Sequence, residues 1–179
     1  MAGKSSTAKK TLSVSAVTAG KAVSIQQTAV TKSLHALLSE SYALMLLTHH
    51  YHWNVEGPHF ISLHTLFEQQ YTELFAAVDI IAERIRALGA PAFPEGYGAM
   101  LQSASVAGDG KSAGKGLTGA EAARAMVKHL IKAHEAVISA AKKARKAAEN
   151  AGDDESVDLT VQRVTLHQKN VWMLKSILA

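Results

Sequence analysis

The sequence predicts an all-α protein, a bundle of four long helices with one long crossover. Three observations carry this. Apolar residues recur three and four apart in four separate stretches, the mark of helices that bury one face. No stretch alternates apolar and polar residues as a strand would, and no repeat is present. The connection between the second and third long helices, residues 89–118, is far longer than the turns on either side of it, which lets the third helix start at the other end of the bundle.

The first long helix is expected from about Ile25 to Val55, with Leu34, Leu37, Leu38, Tyr42, Met45 and Leu46 on its apolar face. Gly57-Pro58 stops it. The second is expected from about Phe60 to Leu88, burying residues such as Leu63, Phe67, Leu74, Val78, Ile81 and Ile85. Gly89 suits its C-terminal cap and Pro91 prevents continuation. Within the crossover, Tyr97 to Leu101 is expected to form a short helix. Thr118 and Glu121 stand at capping-box spacing before the third long helix, which runs to about Asn150. Its basic run Lys142, Lys143, Arg145, Lys146 suits a helix C-terminus. Gly152 breaks it, and the fourth helix runs from about Glu155 to Leu178. The architecture is that of a ferritin-like four-helix bundle.

Composition excludes several classes. At 179 residues and 47% apolar, the chain can bury one sizeable core. No apolar run approaches the ~20 residues needed to span a bilayer, and no segment has a secretory signal's pattern. A cytoplasmic location is the expectation. With no cysteine, disulfides and thiolate sites are excluded, so a bound metal must sit on His, Asp and Glu, which favours iron, manganese or zinc. The formal charge of +4 is uneven. Residues 1–24 hold Lys4, Lys9, Lys10 and Lys21 and no acid. These four lysines equal the whole excess, so residues 25–179 sum to zero. The first 24 residues read as a flexible arm, either a solubilising tail or a phosphate-binding one.

The chemistry concentrates between His49 and Glu83. On a helix, His64, Glu68, Asp79 and Glu83 fall within an arc of about 100°. Along the axis they form two i,i+4 pairs separated by roughly 16 to 28 Å, too far for one ion with bonds near ~2 Å to bridge. Either each pair serves separately, or two chains pack antiparallel so that the histidine pair of one meets the acidic pair of the other. The second arrangement gives two identical sites per dimer. Each would use His52, His64 and Glu68 from one chain and Asp79 and Glu83 from its partner, and mixed imidazole and carboxylate donors suit Fe(II). An intrasubunit di-iron bundle would need Glu-x-x-His motifs on facing helices, and the last two long helices have none.

At these residues the chain resembles the Dps family (DNA-binding proteins from starved cells). The pattern stands here as His52-Trp53-Asn54-Val55-Glu56-Gly57-Pro58-His59-Phe60, then His64 and Glu68, then Asp79 through Glu83-Arg84. The likeness continues at Leu88-Gly89, Gly152-Asp153-Asp154 and Trp172 through Ser176, and covers roughly residues 30–179. It implies a homododecameric cage with ferroxidase sites at its two-fold interfaces. Such a cage oxidises Fe(II), preferentially with hydrogen peroxide, and stores ferric mineral. The resemblance implies His52, His64, Glu68, Asp79 and Glu83 as iron ligands. Many members have Asp where this chain has Glu68, whose longer arm would move the second iron or weaken its binding. Trp53 falls where the family places a radical-trapping tryptophan, and His49 stands close enough in sequence to assist. Asp153, Asp154 and Asp158 fall where the family lines a three-fold iron-entry pore. In a dodecamer the arm lysines become a multivalent polycation, which implies non-specific, salt-sensitive DNA binding and nucleoid association. Two other readings are a nucleoid-condensing protein with a secondary iron site, and a structural cage holding a static ion.

Overall fold

The computed structural model describes residues 29–106 and 113–179. The arm lysines Lys4, Lys9, Lys10 and Lys21 and the expected first turn of the first helix lie outside them. The chain folds into α1 (Ala29–Asn54), α2 (Phe60–Ala87), a short α3 (Tyr97–Ser103), α4 (Gly119–Ala151) and α5 (Asp154–Leu178). Among the described residues there is no strand, and no helix is long and apolar enough to cross a membrane. The bundle packs α1 against both α2 and α4, and α4 against α5.

The core lies where the apolar faces meet. Leu34, Leu37 and Leu44 of α1, Phe67, Leu74 and Ile81 of α2, Leu130 and Val137 of α4, and Leu174 of α5 are all fully buried. Each such side chain contributes about 1.5–3 kcal/mol on burial. Along its C-terminal half α4 buries Ala140, Ala141, Ala144 and Ala148, small residues that bring neighbouring backbones close.

The helix ends follow most of the expected signals, although the basic run Lys142 to Lys146 falls short of the last turn of α4. Gly152 closes α4 in the left-handed conformation (φ 67°), and Gly89 sits just past the α2 C-cap with φ 83°. Asp153 caps α5 by accepting from the Ser156 amide at 3.0 Å. Thr118 occupies the N-cap position of α4, but its side chain makes no capping hydrogen bond. The reason lies in the next residue: Gly119 has φ 53°, so the first turn departs from the geometry that aims amides at a threonine hydroxyl. The crossover is tied to α1 instead. The Glu40 carboxylate accepts from the Ser105 amide and hydroxyl and from the Val106 amide.

The α1–α2 turn fixes the position of the histidines. Gly57 has φ 101°, and a Cβ there would lie 2.9 Å from Ala120 N and 3.0 Å from Gly119 C. Only glycine meets both demands, so this turn seats directly on the start of α4. Gly57→Ala is therefore expected to cost about 2–3 kcal/mol from backbone strain and overlap. A denaturant midpoint unchanged from the parent would show that the turn is not clamped in this way.

Candidate metal centre

His52 lies in the last turn of α1 and His64 in the second turn of α2. The Gly57-Pro58 turn folds them onto each other, with ring centroids 3.7 Å apart and planes 20° from parallel. Their hydrogen bonds are reciprocal. His52 Nδ1 donates to the His64 carbonyl at 2.9 Å, and His64 Nδ1 donates to the His52 carbonyl at 2.9 Å. The last carbonyls of a helix lack intrahelical partners, which leaves the His52 oxygen available. A carbonyl can only accept, so both Nδ1 atoms carry hydrogen and each neutral ring keeps its lone pair on Nε2. Backbone-locked Nδ1–H with a free Nε2 is how metal-binding histidines are oriented.

The described residues of one chain do not gather a full ligand set. Among the described residues, no group of three or more His, Asp or Glu side chains comes together to hold a metal ion. Glu68 lies one turn beyond His64, and Asp79 and Glu83 lie further along α2; all three are exposed. None of them makes a hydrogen bond or ion pair among the described residues. The structure thus brings His52 and His64 together and leaves the three carboxylates apart from them. Ile61 and Phe75 share the arc of α2 that carries these groups, and they are 73% and 69% exposed. Beside Asp79, an apolar hollow of about 490 Å³ is lined by Phe75, Tyr97 and Met100 among others.

An aromatic cluster adjoins the histidines. His49 packs between Trp53 (4.1 Å between centroids) and Tyr71 (4.2 Å, stacked), and Tyr71 meets the His52 ring edge-on at 5.2 Å. Trp53 is 65% exposed, so it is no core residue. Tyr51 is: it is fully buried, its hydroxyl 2.7 Å from His129 Nδ1. Tyr71 went unnoticed in the sequence. Its signal was its place seven residues, two turns, after His64.

The carboxylates at the start of α5 divide. The Asp153 side chain is only 10% exposed and pairs with Arg84 at 2.5 Å. Partial burial works in the opposite direction, but the hydrogen bonds from Ser156 and the Arg84 guanidinium hold its carboxyl below the usual range. Asp153 thus caps α5 and ties it to α2 through Oδ1. Asp154 and Asp158 are exposed, and Asp158 accepts from Gln162.

A second polar cluster, unforeseen in the sequence, occupies the bundle centre. His134 of α4 and His167 of α5 are both 0% exposed, with Nδ1 atoms 2.8 Å apart. Arg163 pairs with Glu73 of α2 and lies 3.0 Å from His167 Nε2. Arginine only donates, so His167 Nε2 accepts and His167 Nδ1 carries the hydrogen given to His134 Nδ1. His134 then donates from Nε2 toward Gln70 Oε1 at 3.5 Å. This directional chain requires both imidazoles neutral. Burial, then Arg163, pushes the His134 pKa down to about 3. Burial, then His134 and Arg163, holds His167 well below its ordinary value.

Comparison with known proteins decides the family. Residues 31–179 match the profile of the ferritin-like domain. The DNA protection during starvation protein of Brevibacillus brevis is 33% identical over 155 residues, which span 87% of this chain and 97% of that protein. The chain belongs to the Dps family. The crystal structure of Dps from Staphylococcus aureus superposes with a TM-score of 0.74 at 35% identity, covering 86% of this chain and 97% of that one. The Vibrio cholerae O1 Dps, described as a member of a broad superfamily of ferritin-like diiron-carboxylate proteins, gives 0.73 at 27% identity, covering 84% of this chain and 89% of the other. Both Dps structures support the all-α, ferritin-like fold described above.

Proposed function

We propose that the chain is an iron-oxidising and iron-storing mini-ferritin, a homododecameric cage with ferroxidase sites at two-fold contacts. The observation that carries this is the stacked His52–His64 pair, which presents two free Nε2 atoms but gathers into no group of three metal-binding side chains among the described residues. Three carboxylates without hydrogen-bond or ion-pair partners among the described residues stand on the same arc of α2, interleaved with exposed Ile61 and Phe75. Apolar exposure of that kind marks a protein contact. If two copies of α2 pair antiparallel about a two-fold axis near Phe75, His64 and Glu68 of one face Asp79 and Glu83 of the other.

Iron is the substrate and cargo. His52 and His64 would bind Fe(II) through Nε2, with Glu68 as a carboxylate donor from the same chain and Asp79 and Glu83 from the second. Oxidation by hydrogen peroxide balances when one peroxide takes an electron from each of two Fe(II) ions and two protons, giving two Fe(III) and two waters. His49 is held by Trp53 and Tyr71 beside the pair, where it would steady His52, and Trp53 would intercept stray oxidising equivalents. Asp153, Asp154 and Asp158 would guide Fe(II) inward.

The likeness to the DNA protection during starvation protein of Brevibacillus brevis supports a DNA-protecting role, exercised in the cytoplasm on the nucleoid. The contact would be non-specific, through Lys4, Lys9, Lys10 and Lys21 of each arm. The decisive assay gives the purified protein Fe(II) and peroxide. A soluble ferric core, formed faster than in buffer, is expected. Precipitated ferric hydroxide at the buffer rate would sink the proposal.

A further inference from the structure

The zero net charge of residues 25–179 conceals a strong segregation. Helix α4 alone carries seven basic and three acidic residues. Arg124, Lys128, Lys132, Lys142, Lys143 and Lys146 are all exposed, and they fall on one side of the helix at 100° per residue. From Arg124 to Lys146 the row runs roughly 33 Å, close to one turn of B-DNA. Meanwhile α2 exposes the carboxylates of Glu68, Asp79 and Glu83, so the two helices present faces of opposite sign.

We propose that the solvent face of α4 is a second nucleic-acid contact, a fixed row of cations that lies along the phosphates of duplex DNA independently of the amino-terminal arm. This deepens the DNA-binding half of the proposed function and leaves the iron site untouched.

A row of surface lysines ordinarily serves solvation, and three observations set this one apart. First, most acids on the face are already neutralised. Glu135 is taken by Lys175 at 3.1 Å, and Glu149 by Arg145 and Lys146. Lys128, Lys132, Lys142 and Lys143 make no ion pair or hydrogen bond among the described residues. Second, α4 exposes no large apolar side chain, whereas α2 exposes Ile61, Phe75 and Ile80 and α5 exposes Trp172. Contacts between copies bury apolar groups, so α4 is the long helix least suited to such a contact and is left facing solvent. Third, the same lack of exposed apolar residues disfavours a lipid surface, since a helix that lies in a membrane inserts one apolar face. What remains is a rigid cationic row for a rigid polyanion. Several copies on one particle would multiply a weak single contact.

The test uses the full chain in two forms, one with Lys128, Lys132, Lys142 and Lys143 changed to Gln, the other with Lys4, Lys9, Lys10 and Lys21 changed to Gln. Gel shifts on duplex DNA are read across salt, with circular dichroism and oligomeric mass confirming the fold. The helix variant is expected to lose at least roughly tenfold in affinity near 0.1 M salt. Its plot of log affinity against log salt should flatten by up to about 0.9 per lost contact. The arm variant should retain a salt-sensitive shift at low salt. A helix variant that binds like the parent with the same slope would overturn the proposal, as would an arm variant with no shift at any salt. Equal lysine-dependent binding to anionic phospholipid vesicles would overturn the choice of partner. Iron oxidation is read separately, so its failure and this one are distinguishable.

Discussion

Changing both His52 and His64 to Ala is expected to slow peroxide-dependent Fe(II) oxidation by roughly 100-fold or more. Losing only the outer partner of a metal ligand costs about 10–100-fold, and here two ligands go at once. The sharper expectation concerns mixing. An Asp79→Ala, Glu83→Ala chain should be as inactive as the His52→Ala, His64→Ala chain. If the sites lie between chains, a mixed dimer of the two joins intact histidines to intact carboxylates at one of its two sites. Random reassembly of equal amounts makes half the dimers mixed, so about a quarter of the parental rate should return. A site within one chain returns nothing on mixing, because each chain lacks part of it. Stopped-flow absorbance of Fe(III) on the parent, each variant and the co-refolded mixture separates these cases. A double histidine variant as fast as the parent would remove His52 and His64 from the reaction altogether. His50 and His59 are exposed, and alanine at both should leave the rate unchanged.

The elements that sequence periodicity marked were recovered within a few residues, because each long helix buries one face and that face repeats every three or four positions. The pairing of His52 with His64 was legible for a related reason: a Gly-Pro turn between two helices must fold their ends together. Its reciprocal hydrogen bonds were not, because they depend on a carbonyl left free at the end of α1. The capping box failed at Gly119, where a single left-handed backbone angle overrides a side-chain pattern. The charge of α4 was hidden by summation, since a neutral total says nothing of which helix face holds which sign. The central cluster was the hardest to foresee. His134 and His167 each occupy a core position of their own helix, and nothing local to α4 or α5 tells that they touch. Three helices had to be packed before Gln70 met His134 and Glu73 met the Arg163 that lies against His167.

That cluster predicts how the fold responds to acid. In the folded chain His134 and His167 are neutral, with pKa values pushed below the ordinary 6.5. In the unfolded chain both take up a proton as the pH falls through about 6.5. The unfolded state then binds protons that the folded state refuses. Stability is therefore fully present above pH 6.5, and it is lost as the pH falls from there toward the folded value of about 3 for His134. Each histidine contributes a slope of up to roughly 1.4 kcal/mol per pH unit. Geometry gives the same sign: a proton added to His134 Nδ1 would set it against the His167 Nδ1 hydrogen at 2.8 Å, with Arg163 adding a further positive charge. Glu73 is the carboxylate of the cluster, and Arg163 already holds it. Denaturant midpoints in chelator at fixed protein concentration are expected to fall steeply from pH 7 to pH 5, before the carboxylates begin to titrate. His134→Gln removes one of the two titrating groups and keeps a polar side chain, so it should lower stability at pH 7 while roughly halving the slope. Equal midpoints at pH 7 and pH 5 in the parent would mean that the two buried rings do not control acid stability. A slope unchanged by His134→Gln would remove His134 from the groups that set acid stability.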